Sequence, residues 1–299
     1  MFRRIIVPLD GSELSERALK PALAIAEQDG AEVTLLRAPV VETVMIPTIE
    51  LYGNYSTRGL EFGLEKARAE ARNYLEKIQA AHAKPNLTVK MLVLDGDPAE
   101  AILAAATERH ADLIVMSTHG YSGVTRWALG SVTERVLSGA ACPVLVIRSG
   151  EPVRKLLVTL DGSALAEQVL APSIEIAAAL GASVALLRVV KPIPVRYMEE
   201  LDKSERGLGV RAQDELIDEA VNYLREIAKR SVRPRLEVQT AVRTGEAPDT
   251  ILHYAETQGV DVVAMATHGR SGVRRWLYGS VTEKVLRSSA GFAMLIVRP

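Results

Sequence analysis

The chain has 299 residues, 48% apolar and 24% charged, with 36 Lys and Arg against 37 Asp and Glu and a formal net charge of −1. That length is generous for one domain and comfortable for two, and the composition is that of an ordinary globular protein. No polybasic surface points to nucleic acid or anionic membrane, and no apolar run approaches the ~20 residues of a membrane span, so neither partner is expected.

Ile5–Leu9 is a short apolar run bounded by Asp10-Gly11-Ser12, the pattern of a buried strand running into a helix start. It is too short for a secretory h-region, so a cytoplasmic location is expected. The helix runs to about Asp29 with Gly30 as its stop, and Pro21 inside it predicts a kink or a delayed start. Val33–Leu36 is a second strand. Pro39–Gly63 follows as the least regular region, and Leu64–Ala83 as an amphipathic helix with Ala67, Ala71, Leu75 and Ile78 at helical spacing. Val89–Leu94 is a third strand, Gly96-Asp97-Pro98 turns into a helix carrying Ile102, and Leu113–Met116 is a fourth strand. The fifth is Val144–Ile147. Before it lies Cys142, the sole cysteine, which excludes an intramolecular disulfide and reads as a buried, inert thiol.

The chain then repeats itself. Leu156–Leu160, Asp161-Gly162-Ser163, Pro172 and the stop at Gly181 match the first elements one for one. Val184–Leu187, the irregular Lys191–Gly209, the helix Val210–Arg230 and the strands Val238–Val242, Val262–Met265 and Leu295–Val297 complete the second set. Near-continuous Val/Ile/Leu strands alternating with helices predict parallel sheets covered on both faces. The expected architecture is two repeated five-stranded, doubly wound, Rossmann-like α/β domains, residues 1–150 and 151–299, divided near Ser149-Gly150-Glu151-Pro152. The two irregular loops barely resemble each other, which fits either diverged partner choice or plain surface variability.

Closest repetition falls between the fourth strand and the next helix. His119–Leu137 reads HGYSGVTRWALGSVTERVL and His268–Leu286 reads HGRSGVRRWLYGSVTEKVL. Ser131 and Glu134, like Ser280 and Glu283, have the S-x-x-E spacing of a capping box. A glycine-bearing loop entering a helix N-terminus presents backbone N–H groups and the positive end of the helix dipole, which together suit phosphate. The same pattern also serves any strand that turns into a helix. In doubly wound sheets the ligand lies at the carboxyl ends of the strands, where strand order reverses. If strands one and four are neighbours, Asp10 and Asp161 reach a ribose or base, while Gly120–Ser131 and Gly269–Ser280 hold phosphates. As turn or cap residues, the two aspartates are equally well explained.

No G-x-x-x-x-G-K-[ST], G-x-G-x-x-G after the first strand, G-x-S-x-G or H-E-x-x-H motif occurs. His119 and His268 lack an evident base partner or metal-ligand neighbour and read as loop-orienting residues, so no catalytic or metal-ligating residue is assigned. The second loop carries Arg270, Arg274 and Arg275 where the first has Tyr121, Thr125 and Arg126, which fits either tighter phosphate binding in the second half or solvated charges pointing away from the crevice, and Thr159 in place of Pro8 opposes the first reading.

Both halves resemble the universal stress protein family. Its nucleotide-binding members share a G-x2-G-x9-G-[ST] pattern, matched at Gly120 and Gly130-Ser131 and again at Gly269 and Gly279-Ser280. Ser117 and Ala266 stand at the first glycine position. The resemblance implies strand order 3-2-1-4-5, a cytoplasmic stress-response role, dimer-type pairing and one ATP site per half. It also implies that Asp10 and Asp161 contact the nucleoside and that Ala38 and Val189 line the adenine. Pro8, Gly123, Val132 and Thr133 in the first half, with Gly272, Val281 and Thr282 in the second, complete the candidate set. A slow Mg²⁺-dependent ATP hydrolase or phosphotransferase, and a nucleotide-free interaction scaffold, are the alternatives to an ATP-binding regulator. The halves are expected to pair as an internal pseudo-dimer through their fifth strands, since an apolar edge strand needs a partner; a homodimer is the further partner.

Overall fold

A computed structural model describes residues 1–39, 56–118, 129–267, 279–288 and 291–298, with backbone only over 56–62. The first repeat contains β1 (Arg4–Pro8), α1 (Glu13–Glu16), α2 (Leu19–Asp29), β2 (Glu32–Arg37), α3 (Ser56–Ala81), β3 (Thr88–Val93), α4 (Pro98–Glu108), β4 (Leu113–Ser117), α5 (Ser131–Gly139) and β5 (Val144–Ile147). The second contains β6 (Lys155–Thr159), α6 (Ala164–Glu167), α7 (Leu170–Leu180), β7 (Ser183–Val190), α8 (Val195–Ser204), α9 (Leu208–Arg230), β8 (Val238–Thr244), α10 (Ala247–Thr257), β9 (Val262–Ala266), α11 (Ser280–Ser288) and β10 (Ala293–Val297).

The first repeat has strand order β3-β2-β1-β4-β5, and the second the equivalent order β8-β7-β6-β9-β10. β1 pairs in parallel with both β2 and β4, and β6 with both β7 and β9. The strand order therefore reverses at β1 and at β6. The apolar runs explain the burial. All residues of β5, β9 and β10 are buried, as are the central residues of β1 and β6, because helices cover both faces of a parallel sheet.

Helix ends follow local chemistry. Gly30 and Gly181 close α2 and α7 at φ 67° and 65°, the left-handed region where a side chain is strained. Pro21 and Pro172 occupy the third position of those helices, where a missing N–H costs no intrahelical bond. Each proline thus delays the helix instead of kinking it, and a separate single turn, α1 or α6, precedes it. The supposed irregular region Lys191–Gly209 holds a helix, α8, and α3 begins at Ser56, well ahead of the expected Leu64. Pro192 and Pro194 disguised α8 by suggesting a loop, although Pro194 only caps its start. Cys142 is half-buried, not fully buried as its apolar neighbours suggested; desolvation first and the nearby Asp112 charge second still push the thiol up to about 11, in keeping with an inert side chain. No described helix is long and apolar enough to cross a membrane.

The described residues from Phe2 to Cys142 form one compact unit, and those from Pro143 onward form another. β5 therefore belongs with the second unit, where it pairs antiparallel with β10 through Met294↔Val146, Leu295↔Leu145 and Ile296↔Val144. Fifth strands pairing is what their apolar sequences predicted. In a fragment beginning at Glu151, the fully buried edge of β10 would be open. That fragment should self-associate, and a monomer at high concentration by light scattering would count against the pairing.

Candidate functional site

At the carboxyl ends of β6, β7 and β9 the second repeat has a cleft of ≈ 280 Å³. Parallel pairing of β6 with β9 brings the turn after β6 beside the helix that follows β9. Asp161, Val189, Ala266, Gly279, Ser280, Val281 and Thr282 were all candidates from sequence, and all line this cleft. Thr159, which stands where the first repeat has Pro8, lines it too, and its Oγ1 donates to the Ala264 carbonyl at 3.3 Å. The hydroxyl adds a β6–β9 tie that proline cannot supply.

Sequence reasoning missed the apolar walls, among them Leu160, Leu187, Ala247, Ile251 and Met265. Strand periodicity offered one signal, since Leu187 shares a face with Val189 two residues on. Ala247 and Ile251 could not be assigned from sequence, because placing α10 over β7 requires the tertiary fold.

The Asp-Gly-Ser turns are built alike. Asp161 Oδ1 accepts from the Ser163 amide at 2.9 Å, and Ser163 Oγ accepts from the Ala166 amide at 3.1 Å, capping α6. In the first repeat Asp10 Oδ1 accepts from both the amide and the hydroxyl of Ser12, at 2.9 and 2.7 Å, and Ser12 caps α1 through the Ser15 amide at 3.1 Å. The aspartates are turn residues, as one alternative held, and Asp161 lines the cleft as well.

The capping box is not formed. α5 begins at Ser131, and its N-cap is Gly130, in extended geometry with no side-chain cap. The first helical bond runs from the Glu134 amide to the Gly130 carbonyl at 2.9 Å, and the Glu283 amide meets the Gly279 carbonyl at the same distance. Glu283 turns its Oε1 to Arg287 Nε, 3.1 Å away, one turn along the helix. Among the described residues, glycine at the cap gives the first-turn N–H groups of α5 no side-chain cap, which is the condition that favours an anion there.

Further bonds fasten each helix start to the end of its strand. The Gly130 amide donates to the Thr118 carbonyl at 2.9 Å, and the Gly279 amide donates to that of Thr267. Thr133 Oγ1 donates to the Ser117 and Thr118 carbonyls at 3.1 and 3.2 Å, while Thr282 Oγ1 donates to Ala266 at 2.9 Å. Both threonines are buried. Their hydroxyl protons are thus committed to the scaffold.

Pro8 ends β1, Ala38 follows β2, and Ser117 ends β4. With Asp10, Gly130, Ser131, Val132 and Thr133 they occupy in the first repeat the positions that line the cleft in the second. His119, Gly120, Gly123, Arg126, His268, Gly269, Arg270, Gly272, Arg274 and Arg275 lie outside the described residues, and with them the comparison of loop arginines. Among the described residues no group of three or more His, Cys, Asp or Glu could hold a metal ion.

A second repeated cluster, also missed, lies behind these turns. Tyr74 Oη donates to Glu16 Oε1 at 2.8 Å, and Tyr223 Oη donates to Glu167 Oε1 at 3.1 Å. Burial, and then the neighbouring glutamate, push both phenols well above the usual tyrosine range. Recurrence of Glu, Arg and Tyr at matching places in both repeats was the available signal.

The universal stress protein family model matches residues 1–148 and again 152–298. A universal stress protein of Methanocaldococcus jannaschii is 34% identical over 148 residues, covering 50% of this chain and 83% of that relative. One from Thermus aquaticus is 39% identical over 150 residues, covering 50% of this chain and 100% of that relative. The crystal structure of a universal stress protein from Archaeoglobus fulgidus is similar across 99% of this chain and 98% of its own, with a TM-score of 0.69 at 19% identity, a likeness of fold.

Replacing Thr282 by valine keeps the shape and deletes a buried hydrogen bond, leaving the Ala266 carbonyl short of a donor. A loss of about 1–3 kcal/mol is expected, read as a lower urea midpoint at unchanged m-value. The tyrosines give a pH signature. Their folded pKa values are raised, so the native state keeps protons that the unfolded chain releases near pH ~10. The resulting stabilisation is complete below that pH and disappears as pH rises through the folded values. An ultraviolet pH titration should show two late phenols, one lost in each of Tyr74→Phe and Tyr223→Phe.

Proposed function

The chain belongs to the universal stress protein family, and we propose that it is an ATP-binding regulatory protein with one adenine-nucleotide site in each repeat. The observation that carries this reading is the single cleft into which the second repeat gathers Asp161, Val189 and Gly279–Thr282. Its lining supplies three kinds of chemistry. Leu187, Val189 and Ile251 offer apolar walls for a base, Asp161 offers a carboxylate for ribose hydroxyls, and the N-terminus of α11 offers backbone donors for phosphate. Equivalent residues and the same strand order support a matching site in the first repeat.

Ser117 and Ala266 replace a family glycine with small side chains, and Ala266 lies at the cleft wall without filling it. Mg²⁺ is proposed to enter with ATP, on its phosphates. A regulator is favoured over a hydrolase because Asp161 is the carboxylate among the described residues lining the cleft and is assigned here to the nucleoside, while hydrolysis needs a group that positions water at the γ-phosphate. A cytoplasmic stress-response role and a homodimer, both implied by the family resemblance, complete the proposal.

Calorimetric titration with ATP, ADP and cyclic AMP tests it. Two ATP sites are expected. Gly130→Val should abolish the first and Gly279→Val the second, because a branched side chain at either helix cap blocks close phosphate approach. A folded Gly130→Val, Gly279→Val protein that binds ATP with unchanged stoichiometry would show the assignment to be wrong.

A further inference from the structure

Leu187 and Val189 line the cleft, and Arg188 lies between them on β7, so strand alternation sends its side chain to the other side of the sheet. There the guanidinium lies flat against the Asp-Gly-Ser turn. A Cβ placed on Gly162 would come within 3.2 Å of Arg188 Cζ, and one on Gly11 within 3.0 Å of Arg37 Nη2. Both glycines also hold positive φ, 86° and 90°. On its other side Arg188 stacks over the Tyr223 ring at 4.9 Å, and Arg37 over Tyr74 at 4.7 Å. Each tyrosine hydroxyl then donates to Glu167 or Glu16, in the short helix that the same turn begins. A further ion pair joins Arg188 Nη2 to Glu219 Oε1 at 3.6 Å, with the arginine side chain only 11% exposed.

These contacts close a ring from turn glycine to arginine, tyrosine, glutamate, short helix and back to the turn. α1 and α6 have four residues each, too few to stand without tertiary support. A planar guanidinium suits the task, because it can stack between a ring and a bare backbone. Both repeats keep this ring although the regions Pro39–Gly63 and Lys191–Gly209 between its members differ.

We propose that Arg188, and Arg37 in the first repeat, is a positioning residue for nucleotide binding, holding the Asp-Gly-Ser turn so that its aspartate meets the nucleoside. This rests on the reading of the cleft as a nucleotide site. It goes beyond that reading in assigning the aspartate's placement to a side chain on the far side of the sheet, which touches no ligand.

The test uses the full chain carrying Gly130→Val, so that the second site is read alone, with ATP and inorganic tripolyphosphate as probes. Arg188→Met should weaken ATP about tenfold, ~1.4 kcal/mol, and leave tripolyphosphate unchanged, because only the nucleoside end depends on the turn. Arg188→Lys should recover little, since an ammonium cannot stack as a plane. An anchor that merely tied α9 to the sheet would weaken both probes together, and that outcome overturns the proposal, as does unchanged ATP affinity. If Arg188→Met fails to fold, Tyr223→Phe keeps the ring beneath the guanidinium and removes only the bond to Glu167. A loss of about threefold for ATP alone, roughly half a tenfold step in free energy, is then expected, and no loss overturns the proposal. Amide hydrogen exchange at Gly162 and Ser163 gives a readout that needs no ligand. Faster exchange in either variant supports the brace, and equal exchange overturns it. Failure of the unsubstituted Arg188 protein to bind ATP would instead refute the nucleotide reading.

Discussion

Parallel pairing of β6 with β9, in the register Leu156↔Val262, Leu157↔Val263, Val158↔Ala264, underlies everything proposed for the second repeat. A parallel ladder puts both carboxyl ends on the same side, so turns remote in sequence meet there without further instruction. Thr159 reinforces the meeting through its hydroxyl bond to Ala264, across 105 residues of chain. β7 flanks β6 on its other side, which makes β6 the strand where the order reverses and a crevice opens. β1 holds the same place between β2 and β4.

What converts this crevice into a site is a division of labour between side chains and backbone. Thr133 and Thr282 direct their hydroxyl protons to strand carbonyls, and glycine amides close the loop necks. The helix starts are thereby fixed while the first-turn N–H groups of α5 lack a side-chain cap. A serine at Gly130 with its own capping bond would satisfy one of those donors internally and compete with any anion. Choosing glycine gives up cap stability and leaves those donors open, as the proposed phosphate contact requires.

Order on the far side of the sheet matters for the same reason. The Asp-Gly-Ser turns lead into single-turn helices that cannot hold themselves, so Arg37 and Arg188, with their tyrosines and glutamates, supply the missing rigidity. A site built on turns is only as well defined as whatever packs behind them.

The sequence alone determined the fold class, the repeat, the strand order through its family resemblance, and seven positions that line the second cleft. The fold class, the repeat and the loop positions rest on short-range pattern, namely apolar runs, glycine stops, Asp-Gly-Ser and Gly-Ser, while the strand order and Val189 rest on the resemblance. It misassigned the helix cap, since S-x-x-E reads identically whether serine is the cap or the first helical residue, and only the backbone path decides. It passed over α8, whose flanking prolines resemble loop chemistry until the start of the helix is seen. The walls Ala247 and Ile251, the Thr159 tie and the Arg-Tyr-Glu rings were left to tertiary structure. Each joins residues from separate elements, and no local propensity encodes which helix face will lie over which strand.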